Sequence, residues 1–230
     1  MILTRRVGPA AVWWTGRAHG NVGDHVGDDP DAVAQHRAEV AVAAGLPAPS
    51  DWVWLRQVHR AGVHEAAGPT PPEAPPEADA AVTATRGLPL AIVTADCAPV
   101  VLANDDAIGV VHAGHRGLAA GVIEAAVARL RARGDGEVRA FLGPCIRPAH
   151  YEFGARDLDG LAARLGDEVK GRTVDGRPAL DIPTGVGVTL ARAGVTQFED
   201  CGVCTADSAA YFSHRRDGAT GRQVTVAVLP

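Results

Sequence analysis

Lysine is nearly absent: of 22 basic side chains only Lys170 is one, and it lies in a polar Gly/Arg stretch. Schiff-base chemistry, which needs a desolvated amine, is thereby disfavoured. A basic excess is also missing. The formal charge is −5 over 230 residues, so no global field attracts a nucleic acid. No apolar run reaches the ~18 residues of a membrane span, and the opening MILTRRVGPA lacks the apolar centre of a secretory leader. The expectation is a cytoplasmic chain with no membrane partner. Four cysteines in such a context do not build a disulfide framework, so each reads as core filler, metal ligand or nucleophile. The nine histidines include no His-x-His pair, which argues against a multicopper centre.

What is present is enough apolar material, 47% of residues, for a sizeable core, and a single domain spanning 1–230 is expected. Val12–Thr15 predicts a strand, and Gly16–Asp29 a glycine-dense loop where backbone can approach a ligand. Asp29 and Pro30 open a helix that Gly45 ends. Trp52–Arg60 alternates and predicts a half-buried strand ending at His59. The proline-rich Gly68–Ala78 reads as a surface loop.

Pro89–Thr94 and Pro99–Ala103 predict strands, the second pairing with Ile108–Val111 across Asn104-Asp105-Asp106. With a loop of two or three residues, the partner of Cys97 is His112 or its neighbour. Gly114–Gly117 then turns into one amphipathic helix reaching Arg133, with Gly134 as its stop. Val138–Leu142 and Gln223–Leu229 read as strands, and Ala155–Leu165, Pro183–Ala193 and Thr205–His214 as helices. Without a regular β-α-β period, the fold class is α+β.

His59, Cys97 and His112 together have the ligand count of a catalytic zinc site with its fourth position open. Singly, each has a structural alternative: a strand-end His on a carbonyl, a buried Cys, a His in a turn. Cys201-Gly-Val-Cys204 has half of a zinc-finger spacing but no second pair nearby, and reads as mainly structural. Arg216 can grip an oxyanion by two parallel hydrogen bonds, or simply pair with Asp217. Arg116, at a helix start beside His112, presents the same choice.

These residues fall in an ordered series: Asn21–Asp29, Gln57-Val58-His59, Ala95-Asp96-Cys97-Ala98-Pro99, His112–Gly117, Leu142–Ile146, Tyr151-Glu152, Leu180-Asp181, Cys204-Thr205 and Phe212–Gly218. The series resembles the laccase-domain family, also described as YfiH-type purine nucleoside phosphorylases and as peptidoglycan editing factors, over nearly the whole chain. The resemblance implies a layered α/β/β/α sandwich with mixed sheets, cysteine-hydrolase-like in fold. It implies zinc on His59, Cys97 and His112, a substrate-binding Arg216 and a contributing Asn21. The implied activity is phosphorolysis of adenosine, inosine and methylthioadenosine, with adenosine deamination beside it. Copper is the second choice of metal. The partners are then a small nucleoside and phosphate, in a monomer or small homo-oligomer.

The chain departs from the family pattern twice. His115 stands where tryptophan is usual, which makes it a candidate extra ligand, substrate-binding group or proton carrier. Gly16–Gly20 is shorter than the usual loop. Two other functions compete: a hydrolase of cell-wall precursors with Cys97 as nucleophile and His112 as base, and a non-catalytic, metal-stabilised binding module.

Overall fold

The computed structural model of the chain describes residues 2–71 and 73–230. It opens with a hairpin, β1 (Leu3–Val7) and β2 (Ala10–Trp14), that turns through Gly8 at φ +56°. Helix α1 (Pro30–Ala44) has the expected ends: the Asp29 carboxylate accepts the Asp31 amide at 3.0 Å, and Gly45 leaves in the left-handed region at φ +66°. Five strands follow, β3 (Val63–Glu65), β4 (Ala80–Thr83), β5 (Leu90–Thr94), β6 (Ala98–Ala103) and β7 (Ile108–Ala113). After them come α2 (His115–Ala120), α3 (Val122–Arg131), β8 (Arg139–Leu142), α4 (Ala155–Leu165), β9 (Lys170–Arg172) and β10 (Pro178–Leu180). The chain ends with α5 (Ile182–Arg192), β11 (Gln197–Asp200), α6 (His214–Asp217) and β12 (Gln223–Val228).

Two sheets stack face to face, a four-stranded one that is antiparallel throughout and a six-stranded mixed one in which β11–β8 and β3–β4 are the parallel pairs. One has the order β1-β2-β12-β5, the other β11-β8-β6-β7-β4-β3, and β9 with β10 forms a separate ribbon. Strand alternation divides the side chains between three cores. Val224, Val226 and Ala91 face outward onto Val40 and Ala41 of α1 and onto Trp52 and Trp54. Ile92, Ala227, Val101, Val110 and Phe141 meet between the sheets. Val100, Leu102 and Val111 turn the other way, onto α2 to α5 through Leu118, Ile123, Leu158 and Val186. The result is the α/β/β/α sandwich of the α+β class, and both faces of the central strands are buried.

Four local expectations give way, three of them to side chains that capture backbone groups and one to a left-handed glycine. Trp52–Arg60 is extended but forms only isolated bridges, Val53 to Leu90 and Arg56 to Glu77. The Trp54 amide goes instead to the Thr70 hydroxyl and those of Val58, His59 and Arg60 to the Asp79 carboxylate, while the Gln57 side chain both donates to and accepts from the Val93 backbone of β5. The β6–β7 loop has four residues, because Asn104 Oδ1 accepts the amides of Asp106 and Ala107 at 3.1 and 2.7 Å. Ala103 therefore pairs with Ile108, and Pro99 with His112. The expected helix from Gly114 to Arg133 breaks at Gly121, which is left-handed at φ +86°, and the second half ends at Arg131. Thr205–His214 is not a helix: the Arg216 guanidinium takes the carbonyls of Thr205, Ala206, Ser208 and Tyr211, leaving only the short α6. Gly68–Ala78 carries no strand or helix among its described residues; its Pro72, like Met1 of the opening segment, lies outside them.

A His–Cys–His cluster at the seam of the two sheets

β5 belongs to one sheet and β6 to the other, so Ala95-Asp96-Cys97 crosses between them and closes one end of the inter-sheet layer. Asp96 makes the corner at φ +95°, an uncommon conformation for a residue with a Cβ. Its carboxylate is occupied at both oxygens, by the Thr205 hydroxyl and the Arg215 amide, each at 2.6 Å, and its carbonyl accepts the Ile146 amide at 2.9 Å.

Continuing the β6–β7 register puts Cys97 opposite Gly114, two positions beyond His112. An even offset keeps Cys97 and His112 on one face as a diagonal pair, so the expected juxtaposition survives the longer loop. Glycine at 114 is what the approach requires: a Cβ there would lie 3.0 Å from His59 Cδ2 and 3.1 Å from Cys97 Sγ. His59 arrives from the other side on a tight turn at φ +57°. Its Nε2 is 3.9 Å from Cys97 Sγ, and its ring meets that of His112 edge-on with centroids 4.7 Å apart. The three ligand atoms lie within 4.8 Å of one another, the one such convergence of three or more His, Cys, Asp or Glu side chains among the described residues.

Asp79 stands behind the cluster and was not singled out by sequence reasoning. It precedes β4, and continuing the β4–β7 register places it directly opposite His112. Its Oδ1 lies 2.8 Å from His112 Nδ1, and its two oxygens accept the amides of Val58, His59 and Arg60 at 3.2, 2.9 and 2.7 Å. The available signal was a lone acid abutting the apolar run Ala80–Thr83. Burial by itself would raise the Asp79 carboxyl; the His112 bond and the amides outweigh it and hold it low. Burial would likewise lower His112, but the Cys97 charge and the Asp79 hydrogen bond raise it to about 9. The Cys97 thiol, pushed up by burial, is brought down to about 6 by the charge and hydrogen bond of His112 and by His59. Without a metal these shifts make Cys97 and His112 a thiolate–imidazolium pair; an ion taking the place of the His112 Nε2 proton would meet a thiolate and a neutral imidazole held by Asp79, the forms that ligate a soft or borderline metal. Bonds of about 2.0 Å to nitrogen and 2.3 Å to sulfur span the His59–Cys97 separation, so the residues present fit such an ion.

A cavity of about 270 Å³ opens at the cluster, lined by His59, Asp96, Cys97, His115, Tyr151 and Arg215, with Ile146 and Ile182 as apolar surface. His115 is inside it, its Nδ1 3.3 Å from the Tyr151 hydroxyl and its ring edge-on to Phe153. Burial and the Arg116 charge keep His115 below its ordinary value, hence neutral at pH 7. Tyr151 stays a phenol, raised to about 12 by burial and the Cys97 charge.

Other anticipated residues are elsewhere. Arg116 is exposed on α2 and does not line the cavity. Asn21 is buried with its amide fully used, donating to Gly23 and Asp28 and accepting from Gly23 and Arg222, so it ties the Gly20–Asp28 loop to the start of β12. Arg216 is spent on Asp217 and the four carbonyls named above; its neighbour Arg215 is the arginine that lines the cavity. The backbones of Cys204 and Cys145 pair in an isolated parallel β-bridge, and all four cysteine thiols are free.

Fold and cluster together define a class: a layered α/β/β/α protein whose sheets pinch a thiol and two imidazoles at the open end of their shared core. Within that class, the chain belongs to the family described as multi-copper polyphenol oxidoreductase laccase, which matches residues 1–230. It is 42% identical over 210 residues to a Streptomyces griseus protein named purine nucleoside phosphorylase ORF3, covering 88% of this chain and 83% of the relative. The Neisseria meningitidis protein NMB0706 superposes with a TM-score of 0.86 at 31% identity, over 99% of this chain and 98% of that one. Bacillus licheniformis YfiH superposes at 0.83 and 25% identity, over 96% and 93%. No described helix is long and apolar enough to cross a membrane.

Proposed function

We propose that this chain is a zinc-dependent purine nucleoside phosphorylase acting on adenosine, inosine and methylthioadenosine with phosphate, with adenosine deamination as a companion activity. The observation that carries the reading is the convergence of His59, Cys97 and His112 within 4.8 Å beside a small-molecule cavity. Relatives named purine nucleoside phosphorylase supply the reaction class. The family description speaks of several coppers, but one cluster, not several, is found among the described residues, and its two imidazoles and thiolate suit zinc.

Zinc bound at His59, Cys97 and His112 supplies a Lewis acid for an oxygen of phosphate or of water. The remaining work falls to the chain. Asp79 accepts from His112 Nδ1–H and so fixes the tautomer that turns Nε2 toward the cluster. Neutral His115 and protonated Tyr151 form a hydrogen-bonded pair able to hold or pass a proton at the cavity wall. Ile146 and Ile182 keep part of the cavity apolar, as a nucleobase face requires. With this reading go a cytoplasmic location, a monomer or small homo-oligomer, and one domain over 1–230. The six-stranded sheet contributes to two of the three cores, which supports the last point.

Zinc-loaded protein given inosine and phosphate should release hypoxanthine and ribose 1-phosphate, and a chelator should stop it. Zinc bound with no base released overturns the reading. One observation favours a second: Cys97, His112 and Asp79 lie in the order of a thiolate, imidazolium and orienting carboxylate, as a cysteine hydrolase needs. Under that reading activity on amide-linked substrates survives the chelator and is lost to thiol alkylation.

A further inference from the structure

We infer that Arg215 is the oxyanion anchor of the cavity, the group that grips the phosphate co-substrate beside His59 and Cys97. The inference rests on the phosphorylase reading and names the residue of that site that would hold its anionic partner.

Arg215 is a cation that the fold has placed in the cavity without giving it a carboxylate. Its Nη1 donates to the Glu152 carbonyl at 2.9 Å; among the described residues its Nε and Nη2 have no hydrogen-bond acceptor. The two acids whose residues hydrogen-bond Arg215 have their carboxylates engaged elsewhere or on its backbone. The Glu152 carboxylate is turned to Arg177 at 2.5 Å, and Asp96 spends its two oxygens on the Thr205 hydroxyl and on the backbone amide of Arg215 itself. The contrast with the next residue is instructive: Arg216 has every donor committed to Asp217 and to carbonyls.

The free edge is also held in position. The Asp96 bond fixes the Arg215 backbone, the guanidinium carbon lies 4.7 Å from the centre of the Tyr151 ring, and the Glu152 carbonyl holds a third point. A planar fork anchored this way loses little freedom when an oxyanion arrives, and two parallel N–H donors match a phosphate better than a nucleobase edge. The same Asp96 precedes Cys97, so one buried carboxylate sets the spacing between the fork and the thiol.

The experiment compares zinc-loaded wild type with Arg215→Gln and Arg215→Lys. In the Gln variant the KM for phosphate should rise roughly 10- to 100-fold, the worth of a lost charge-assisted pair, while the KM for inosine changes less than about threefold. Arg215→Lys keeps the charge but loses the fork, and should fall between. Binding of inorganic phosphate alone, followed by 31P line broadening, should weaken in the same order and requires no turnover. An unchanged phosphate KM, or a rise confined to inosine, overturns the inference while leaving the phosphorylase reading intact. If wild type releases no base yet binds phosphate in an Arg215-dependent way, the reaction reading fails and the anchor stands. Should the Gln variant not fold, the Lys variant decides by the same two measurements.

Discussion

Asp79 Oδ1 sits 2.8 Å from His112 Nδ1 and accepts the amide of His59 at 2.9 Å, so a single buried carboxylate orients one imidazole through its ring and the other through its backbone. The relationship follows from strand register, which continues the β4–β7 ladder to place Asp79 across from His112. Any change at Asp79 must therefore reach both ligands at once.

Replacing Asp79 with Asn keeps the size but trades an acceptor pair for one acceptor and a donor. At least one of the three amides, or the His112 ring, then loses its partner in a fully buried place. The expected cost is about 2–3 kcal/mol of stability, since hydrogen bonds to a buried charge are worth that much, and a zinc affinity roughly 10- to 100-fold weaker. Thermal unfolding and competition with a colorimetric chelator measure the two effects. A variant with unaltered zinc affinity would show that Asp79 only supports the backbone.

Gly114→Ala separates the cluster from the fold. Its backbone, at φ −79° and ψ 167°, accepts any residue, so the helix start is not strained. The added Cβ meets the His59 ring and the Cys97 sulfur at 3.0–3.1 Å and must push at least one ligand aside by a few tenths of an ångström. Metal geometry tolerates errors of only about 0.2 Å. Zinc content after dialysis should fall while the thermal midpoint of the metal-free protein stays within a few degrees; full zinc retention would contradict the tight approach.

Local chemistry was legible in the sequence wherever the cause lay within a few residues. The caps of α1, the alternation of β6 and β7, and the apolar face of α3 are of this kind. The Cys97–His112 pairing was legible for the two-residue form of the loop, because side-chain parity repeats every two residues and the observed partner, Gly114, lies two positions from His112; the three-residue form would have put the two side chains on opposite faces. What escaped depends on distant partners. Asp79 reaches back some twenty residues to hold the His59 turn, and Asp96 reaches forward more than a hundred to hold Arg215. Which of two adjacent arginines enters the cavity is decided by that clamp and by the carbonyls that absorb Arg216. No periodicity in the chain records either.

Gly121→Ala tests the break between α2 and α3. An alanine Cβ meets nothing closer than Glu124 Oε2 at 3.7 Å, so space is not the issue. The cost is the left-handed backbone at φ +86°, about 1–2 kcal/mol. Asn, which tolerates that region, should cost less than Ala. Denaturant midpoints of the two variants check the order, and equal stability to wild type would mean that the two helices can merge.

Acid lability should come in part from the Asp200–Arg147 pair at the end of β11. Burial would raise the Asp200 carboxyl, but two Arg147 hydrogen bonds at 2.5–2.6 Å, the Gly202 amide and the guanidinium charge outweigh it and hold it below its usual range. A carboxyl depressed in the folded state binds its proton more readily when unfolded. The stabilisation is thus fully present above the ordinary carboxylate value near 4 and fades as pH falls through and below it. Asp200→Asn removes that linkage. At pH 7 the variant should be less stable by about 1–2 kcal/mol, the worth of a partly exposed bidentate pair. Toward pH 3 the gap should narrow, because wild type is then losing the same interaction. Thermal midpoints of both proteins between pH 7 and pH 3 test this, and a gap that stays constant across the range would mean that Asp200 is not held low by Arg147.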